Sequence, residues 1–342
     1  MRRKMNRSYS YDDVLLVPQY SEVRSRSEID ISSDLGKDVK LYLPIFASPM
    51  DTISEGAMGD VMGKIGASAI IHRYNTVEEQ VCEIQKVTSP AVVGGAIGVS
   101  GDYLERANAI VDGGADFLCV DVAHGHHIMV REALGKLRQL FGDHYHIMAG
   151  NVATLEGIND LADWGADSVR CNIGGGSICS TRVQTGHGLP GLQTIFECAK
   201  TDRDVKIIAD GGIKNSGDIV KALAAGADAV MVGSLLAGTT ETPGEIFMDA
   251  KGDRWKTYRG MASKEAQVEW RGKYSSFEGV ASRVPHRGSV EMILEDLEKG
   301  IRSGFSYTGA RNLRELQAKA QFVTQTTSGL SESRTHITTR KW

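Results

Sequence analysis

A glycine-rich segment surrounds the cysteine best placed for covalent chemistry. The segment reads Gly174-Gly175-Gly176-Ser177-Ile178-Cys179-Ser180-Thr181-Arg182. Three consecutive glycines allow a sharp backbone turn whose amides or carbonyls can face a ligand or an ion. On an exposed loop, the Cys179 thiolate could attack an electrophilic carbon, with the Thr181 hydroxyl within reach. A flexible surface loop with an incidental thiol would have the same composition.

Two later segments place glycines directly after apolar runs. They read Ile208-Ala209-Asp210-Gly211-Gly212-Ile213 and Val230-Met231-Val232-Gly233-Ser234. Backbone N–H groups at such positions, helped by a helix N-terminus, form a phosphate-binding site. Asp210 could then accept hydrogen bonds from a ribose diol. Tight packing of a strand on a helix also requires glycine, and flavin-dependent barrels and sugar-phosphate enzymes share this pattern.

Further polar candidates are Asp121, a histidine group and Glu278. Asp121 ends an apolar run, where its carboxylate could accept hydrogen bonds from a ribose or an amide. His124, His126 and His127 follow without a carboxylate or cysteine at ligand spacing, so we do not predict a metal site there. Glu278 is either a functional carboxylate or a solvated charge. The remaining cysteines are expected to be packed structural residues: Cys82, Cys119, Cys171 and Cys198.

The elements that position these residues repeat one phrase, Gly-Ala-Asp, beginning at Gly114, Gly165 and Gly226. Each time a helical pattern ends in glycine and gives way to a β-rich apolar run. Other apolar runs predict strands at Leu43 to Ala47, Ala67 to Ile71, Val92 to Gly98, Ile147 to Ala149 and Val205 to Ala209. Helical patterns between them cover Tyr103 to Asp112, Met129 to Leu140, Leu155 to Trp164 and Ser216 to Ala225.

Strand and helix alternate, and the strands are apolar throughout, which is typical of a parallel sheet covered by helices. About eight such units favour an α/β fold of the closed (β/α)8 TIM barrel type over an open doubly wound sheet. We predict one barrel catalytic domain over residues 1–342, with a flap at about 245–287 and an extended or disordered tail at about 324–342. The site should lie at the carboxyl ends of the strands.

Composition excludes several classes of protein. The 342 residues carry 39 Lys+Arg and 43 Asp+Glu, a net charge of -4, without a basic stripe. This balance argues against a dedicated nucleic-acid or membrane-surface protein, and the apolar stretches are too short to span a bilayer. Five cysteines without a CxxC pair suit a reducing compartment, so we expect a cytoplasmic location.

The chain resembles the IMP dehydrogenase/GMP reductase family over nearly its whole length. Besides the Cys179 loop, the matching segments are Tyr11 to Pro18, Ala47 to Thr52, Gly150 to Thr154, Ala209 to Gly212 and Tyr258 to Met261. The resemblance implies a purine nucleotide 5′-monophosphate whose C2 lies beside Cys179 and forms a covalent thioimidate with it. It also implies a homotetramer, a nicotinamide cofactor and K+ or another monovalent cation.

The same resemblance implies three sets of binding residues. Those expected at the substrate are Ser48, Met50, Ser177, Asp210, Gly211, Gly212, Gly233, Ser234, Tyr258, Gly260 and Met261. Those expected at the cofactor are Asp121, Ala123, His124, Asn151 and Gly174. Those expected to hold the cation through carbonyl groups are Gly174, Gly176 and Cys179.

The family contains two reactions, and several features favour the reductase. GMP reductase expels ammonia from GMP and then uses hydride from NADPH to give IMP, whereas IMP dehydrogenase passes hydride from IMP to NAD and hydrolyses the adduct to XMP. That hydrolysis needs an Arg-Tyr pair, where this chain has Lys273-Tyr274, and the regulatory insert expected after His72 is missing. By resemblance, Thr181 and Glu278 would protonate the departing amine.

Other features favour the dehydrogenase. His124-Gly125-His126, Glu278-Gly279-Val280 and the tail with Glu332 and His336 resemble that branch. In the Cys179 loop, Gly175 and Ser180 replace the usual Pro and Thr. IMP dehydrogenase with NAD is therefore the alternative function. A flavin-dependent barrel without need of Cys179 and a catalytically inactive nucleotide-binding barrel are the hypotheses from other classes.

Overall fold

A computed structural model of the chain describes residues 7–88, 90–274 and 278–334. The strands of this part are β1 (Val14–Leu16), β2 (Ser33–Asp34), β3 (Lys40–Leu41), β4 (Ile45–Ala47), β5 (Ser68–Ile71), β6 (Val93–Ile97), β7 (Phe117–Asp121), β8 (His146–Val152), β9 (Ser168–Cys171), β10 (Lys206–Asp210), β11 (Ala229–Val232), β12 (Phe247–Met248), β13 (Arg254–Arg259), β14 (Ala281–Pro285) and β15 (Phe322–Thr324). The α-helices are α1 (Gly56–Lys64), α2 (Val77–Gln85), α3 (Tyr103–Asp112), α4 (Ile128–Phe141), α5 (Leu155–Asp163), α6 (Thr181–Thr185), α7 (Gly191–Cys198), α8 (Ser216–Ala224), α9 (Lys264–Arg271), α10 (Val290–Thr308), α11 (Leu313–Lys319) and α12 (Thr327–Glu332).

Strands β4 to β11 form a closed barrel in which every neighbouring pair is parallel. The ring closes between the last and the first strand, where Val230 lies opposite Ile45 and Val232 opposite Ala47. At least one helix separates each strand from the next along the chain, and α10 follows β11 beyond the flap. The predicted (β/α)8 barrel is confirmed.

The Gly-Ala-Asp repeat has a physical cause in this barrel. Gly114, Gly165 and Gly226 have φ between +103° and +117°, which suits glycine at the turn after a helix. Two residues later, each aspartate accepts a hydrogen bond from the first or second amide of the preceding strand in sequence. The three contacts are Asp116 with Val93 N (2.8 Å), Asp167 with Ile147 N (2.7 Å) and Asp228 with Ile207 N (2.8 Å). The phrase therefore joins neighbouring strands at the amino end of the barrel.

The barrel interior is filled with apolar side chains and closed by a hairpin. Phe46, Phe117 and Met148 belong to one buried cluster together with Leu35 and Leu41 of the β2–β3 hairpin. Because Phe117 begins β7, we place this hairpin across the amino end of the barrel. A larger cluster fills the space between the strands and the helices. The carboxyl end is thus the end left open to ligands.

The flap contains regular structure. Strands β12, β13 and β14 form an antiparallel sheet, and α9 lies between the last two of them in the chain. Residues 275–277 of the predicted flap, and residues 335–342 of the predicted tail, lie outside the described residues. The prediction of an extended or disordered tail at about 324–342 is wrong for Thr327–Glu332, because these residues form the helix α12, which is capped by Thr326.

Some boundaries and one burial prediction also differ. Strand β8 runs from His146 to Val152, beyond the predicted Ala149, because its pairing with β7 and β9 continues through Gly150. Cys82 was predicted to be packed but is exposed on α2, since it lies off the buried face formed by Gln80 and Ile84. The other three cysteines are buried as expected. Within the described ranges, no helix is both long and apolar enough to cross a membrane.

Candidate active site

A cleft of about 480 Å³ lies at the carboxyl end of the barrel. It brings together almost all site residues expected from the sequence. Those lining it are Ser48, Met50, Asp121, Ala123, Asn151, Gly174, Gly176, Ser177, Cys179, Thr181, Asp210, Gly211, Gly212, Gly233, Ser234, Tyr258, Gly260, Met261 and Glu278. His124 is the exception among the expected residues, since it does not line this cleft.

The cysteine loop is held against the flap by backbone pairing. Ser180 N donates a hydrogen bond to the carbonyl oxygen of Glu278 (2.8 Å), and Val280 N donates to that of Ile178 (3.0 Å). Because these bonds flank Cys179, they place the flap residues beside the thiol. The flap therefore forms one wall of the cleft and reaches the reactive loop.

Three groups with complementary chemistry share this wall. Cys179 is exposed, and its Sγ lies 3.1 Å from Oγ1 of Thr181. Glu278 also lines the cleft. A thiol can act as the nucleophile, a hydroxyl can pass a proton, and a carboxylate can take up or supply that proton. The arrangement suits covalent attack on a ligand followed by proton transfer to a leaving group.

A buried arginine joins the two aspartates on the cleft floor. Arg170 donates from Nε (3.0 Å) and Nη2 (2.8 Å) to Oδ2 of Asp210, and from Nη1 to Oδ1 of Asp121. Nδ2 of Asn151 donates to the same oxygen of Asp210 (2.7 Å). Burial alone would lower the pKa of Arg170, but Asp210 and Asp121 hold that pKa well above its ordinary value. The charged guanidinium thus fixes both carboxylates as acceptors for a ligand.

Glycines at two strand ends leave room for a ligand close to the backbone. Gly211 and Gly212 have φ of +79° and +76°, which is the left-handed region. A Cβ on Gly233 would lie 3.1 Å from Oη of Tyr258, so a side chain there would be crowded. The Ser177 hydroxyl lies 3.5 Å from that phenol, whose pKa is raised by burial. Amides and hydroxyls of this kind suit a phosphate group.

The end of β13, within the flap, is bound to the loop after β4. Arg259 donates from Nε (2.9 Å) and Nη2 (2.6 Å) to Oδ2 of Asp51. Asp51 N contacts Sδ of Met261 at 3.2 Å. Burial would lower the pKa of Arg259, but the hydrogen bonds that it donates to Asp51 and Glu269 raise this pKa above its ordinary value. This ion pair positions Tyr258, Gly260 and Met261 at the cleft.

The glycine-rich stretch before Cys179 packs tightly. A Cβ on Gly175 would lie 2.0 Å from Nδ2 of Asn172, so no side chain fits there without movement. Gly174 has φ of +77°, and the carbonyl of Gly176 accepts a hydrogen bond from Cys179 N (3.1 Å). The loop is therefore a constrained turn packed on the barrel.

His124 lies in a histidine group beside the cleft. Its ring centroid is 6.5 Å from that of His126, whose Nε2 lies 2.7 Å from Oδ2 of Asp160. Burial, and then the charge of His126, lowers the pKa of His124. Across the described residues, no group of three or more His, Cys, Asp or Glu side chains has a geometry that could hold a metal ion.

Lys273 and Tyr274, the pair expected from the dehydrogenase alternative, are exposed and do not line the cleft. Nζ of Lys264 lies 4.9 Å from the Tyr274 ring centroid. The tyrosine is therefore in contact with the first residue of α9.

Sequence reasoning missed several residues that line the cleft. They are Tyr74, Arg170, Asn172, Gln267 and Arg271. Arg170 had a usable signal, because a charged residue inside the apolar run of β9 must find buried partners. Tyr74 and Arg271 had none, since both lie in polar segments next to the elements that form the cleft wall.

Comparisons with known proteins agree on one family. The family described as "IMP dehydrogenase / GMP reductase domain" matches residues 8–336. The inosine-5′-monophosphate dehydrogenase of Cryptosporidium parvum is 35% identical, over 98% of this chain and 96% of that protein. The GMP reductase of Leishmania major is 31% identical, over 96% of both chains. A crystal structure of a cysteine-to-alanine variant of GMP reductase from Trypanosoma brucei, in complex with guanosine 5′-monophosphate, has a TM-score of 0.92 and 29% identity, covering 97% of this chain and 98% of that one.

Proposed function

The chain belongs to the IMP dehydrogenase/GMP reductase family of purine nucleotide oxidoreductases, and within it we propose that the protein is an NADPH-dependent GMP reductase. The observation that carries this proposal is the contact of Cys179 Sγ with Thr181 Oγ1 at 3.1 Å, on a loop bonded to Glu278. The groups that reductive deamination needs share one wall of the cleft. The solved Trypanosoma reductase of similar fold was crystallised with guanosine 5′-monophosphate, the substrate proposed here.

The nucleotide would bind across the cleft between its glycine loops and the cysteine loop. Amides near Gly211, Gly212 and Gly233, with the hydroxyls of Ser177 and Ser234, would bind the phosphate. Asp210, held by Arg170, would accept the ribose hydroxyls. Ser48, Met50, Gly260 and Met261 complete the lining on the side of the purine.

The reaction then proceeds through a covalent bond to Cys179. Sγ attacks C2 of GMP, and the C2–N bond breaks as the amino group leaves as ammonia. Thr181 and Glu278 pass the proton that this departure requires. Hydride addition at C2 and cleavage of the C–S bond then release IMP and return the thiolate. The substrate is reduced by two electrons.

The residues on the adjoining wall fit a nicotinamide cofactor, which supplies that hydride when bound. Asp121, Ala123, Asn151 and Gly174 line the cleft beside the cysteine loop, and Arg170 fixes the Asp121 carboxylate as an acceptor.

Carbonyls of Gly174, Gly176 and Cys179 would hold K+ or another monovalent cation, since such ions prefer oxygen ligands. The hydrogen bond from Cys179 N to the Gly176 carbonyl (3.1 Å) joins two of these three residues and supports this proposal. We expect the enzyme to act as a homotetramer.

The dehydrogenase alternative is less well supported by the flap. Its second step needs a water activator near Cys179, and neither Lys273 nor Tyr274 lines the cleft. An ammonium group would also replace a guanidinium poorly in that role. Glu278 and Thr181 line the cleft instead, where release of the amine requires two groups that transfer a proton.

Two parallel assays at the nicotinamide absorbance band test the proposal. One contains GMP with NADPH or NADH, and the other contains IMP with NAD or NADP. We expect signal loss with GMP and NADPH, abolished by Cys179→Ala. Thr181→Val and Glu278→Gln should each slow turnover by about 10²-fold or more, a typical loss for a group that transfers a proton.

Cys82→Ala provides the matched control, because it removes an exposed thiol that does not line the cleft. It should leave turnover unchanged. A signal that rises with IMP alone would overturn the reductase in favour of the dehydrogenase. Turnover that survives Cys179→Ala, or a yellow protein with bound flavin, would overturn the covalent mechanism. Nucleotide binding without turnover in either assay would instead support the inactive barrel.

A further inference from the structure

One cation in the cleft wall, Arg271, has no carboxylate partner among the residues that the structure describes. Arg271 ends α9, lines the cleft and is exposed. Its guanidinium carbon lies 5.8 Å from the ring centroid of Tyr74, which also stacks on Trp270 with centroids 6.2 Å apart and planes 18° apart. Contact with a fixed aromatic ring restricts where the guanidinium can lie. The side chain is therefore partly ordered at the rim of the cleft.

The other two arginines of the cleft lining are already engaged. Arg170 is bound between Asp121 and Asp210. Arg73 donates from Nη2 to the carbonyl of Asp121 (3.1 Å), and its Nε lies 3.7 Å from that carboxylate. In the described ranges, no carboxylate lies within ion-pairing distance of Arg271. The charge of Arg271 is therefore available to a ligand.

The position of Arg271 in the cleft indicates which part of a ligand it would meet. The reacting carbon of the substrate must lie at Cys179, and the nicotinamide must lie beside it near Asp121. Arg170 on that floor is buried, whereas Arg271 is exposed on the flap. The end of a dinucleotide that lies farthest from the nicotinamide therefore extends toward the rim, where Arg271 stands.

We propose, on the basis of the proposed function, that Arg271 binds the 2′-phosphate of the cofactor and so selects NADP(H) over NAD(H). A guanidinium is planar and always charged, and it can donate two parallel hydrogen bonds to a phosphate. The 2′-phosphate is the group that distinguishes the two cofactors. Arg271 at the rim can form an ion pair with this phosphate, whereas NAD(H) has no phosphate at that position and forms no such pair.

The test measures the binding of NADP⁺ and of NAD⁺ by calorimetry, on the full chain saturated with GMP, so that no turnover occurs. Arg271→Ala should weaken NADP⁺ binding by about 10-fold or more, the usual loss for a hydrogen-bonded charge, and NAD⁺ binding by much less. Arg271→Lys should restore part of the loss, because it keeps the charge without the planar geometry. Added salt should weaken NADP⁺ binding more in the wild type than in Arg271→Ala.

Arg283→Ala is the matched control, because Arg283 is also exposed on the flap and lies 5.2 Å over a ring, that of Phe247, outside the cleft lining. It should change neither constant. Equal losses for both cofactors with Arg271→Ala, no loss for either, or equal wild-type affinities would each overturn the assignment. The binding constants test the role of Arg271 whichever reaction the protein catalyses. Oxidation of IMP would overturn the proposed function, and the role of Arg271 would still be decided by the affinities for NADP⁺ and NAD⁺.

Discussion

Each end of the barrel contains an arginine bound to aspartate, and the two arginines differ in what else they contact. At the carboxyl end, Arg170 donates to the side chains of Asp121 and Asp210 and to Sγ of Cys119 (3.7 Å). At the amino end, Arg138 donates to Oδ2 of Asp167 (2.5 Å) and to three backbone carbonyls. One arginine orients side chains that face a cleft, whereas the other holds turns of the chain together.

The charges at the amino end are also covered. Lys37, from the turn of the β2–β3 hairpin, pairs with the other oxygen of Asp167 (2.6 Å). Both oxygens of that carboxylate are therefore engaged within the protein. At the carboxyl end, Asp121 and Asp210 line the open cleft. The acceptors of these two arginines, rather than their burial, therefore separate a binding role from a structural one.

Replacing each arginine by alanine gives the largest effect expected from this comparison. Arg170→Ala removes the guanidinium that neutralises two largely buried carboxylates and leaves them only Asn151 and the more distant Arg73 as partners. The free energy of unfolding should therefore fall by about 3–5 kcal/mol. Turnover of the folded enzyme should also fall, by about 100-fold or more, because the carboxylates that we propose as acceptors for substrate and cofactor lose their orientation. Arg138→Ala should destabilise to a similar degree but leave turnover within about threefold, since its partners, Asp167 and three backbone carbonyls, lie outside the cleft lining.

Chemical denaturation and steady-state kinetics on both variants would check this. Arg170→Lys adds a readout that stability alone does not supply, since it keeps the charge but cannot bridge two carboxylates with a planar fork. We expect it to recover stability more than turnover. If Arg138→Ala lost turnover as severely as Arg170→Ala, the distinction between the two ends would fail.

The comparison also shows what the sequence could predict. Helix α3 matches its predicted bounds, and the Gly-Ala-Asp repeat marked three strand starts, because a left-handed glycine and a capping aspartate are local requirements. Residues at strand ends were predictable as one site, since a parallel barrel brings all carboxyl ends together. These features depend on short stretches of chain.

Features that depend on distant partners were not predictable. Arg170 finds Asp121 and Asp210 at separations of 49 and 40 residues, so its role is visible only once the barrel is closed. The two-residue strands of the hairpin, Ser33–Asp34 and Lys40–Leu41, are too short to show any periodicity. In the sequence, Arg271 does not differ from the other polar residues of α9, and its contact with Tyr74 is visible only in the structure.

A buried histidine should make stability at the amino end sensitive to acid. His146 begins β8, is fully buried, and places Nε2 at 2.8 Å from Oγ of Ser168. Burial lowers its pKa to about 4, an effect that the carboxylate of Asp167 partly opposes. Because the unfolded chain has the higher pKa, it binds the proton first. The stabilisation is complete above about pH 6.5 and is lost as the pH falls toward 4, by about 3 kcal/mol.

Denaturation of the wild type and His146→Asn at pH 7 and pH 4.5 isolates this contribution. The variant should be less stable at pH 7 but should lose roughly 2–3 kcal/mol less on acidification, because the titrating group is gone. His144→Asn, at an exposed position two residues earlier, should lose as much unfolding free energy on acidification as the wild type does. Identical acid losses in wild type and His146→Asn would show that carboxylates alone govern the transition.

The smallest effects come from two glycines with nearly identical backbones at opposite ends. Gly36 in the hairpin turn has φ of +80°, and Gly211 after β10 has φ of +79°. A Cβ on Gly36 would meet nothing within 4 Å, and one on Gly211 would come no closer than 3.5 Å, to Cα of Gly176. Alanine at either position should therefore cost only the left-handed strain, about 1–2 kcal/mol of unfolding free energy.

Activity should separate the two variants even though their stabilities match. The methyl group of Gly211→Ala would project toward the cysteine loop, where we place the nucleotide phosphate, so KM for the nucleotide should rise several-fold with kcat less affected. Gly36→Ala should leave both constants unchanged, because the hairpin closes the amino end and touches no ligand. Initial rates over a range of nucleotide concentrations test this directly. A rise in KM with Gly36→Ala would mean that the hairpin reaches the carboxyl-end chemistry through the barrel interior, and a Gly211→Ala variant with unchanged KM would move the phosphate away from the loop after β10.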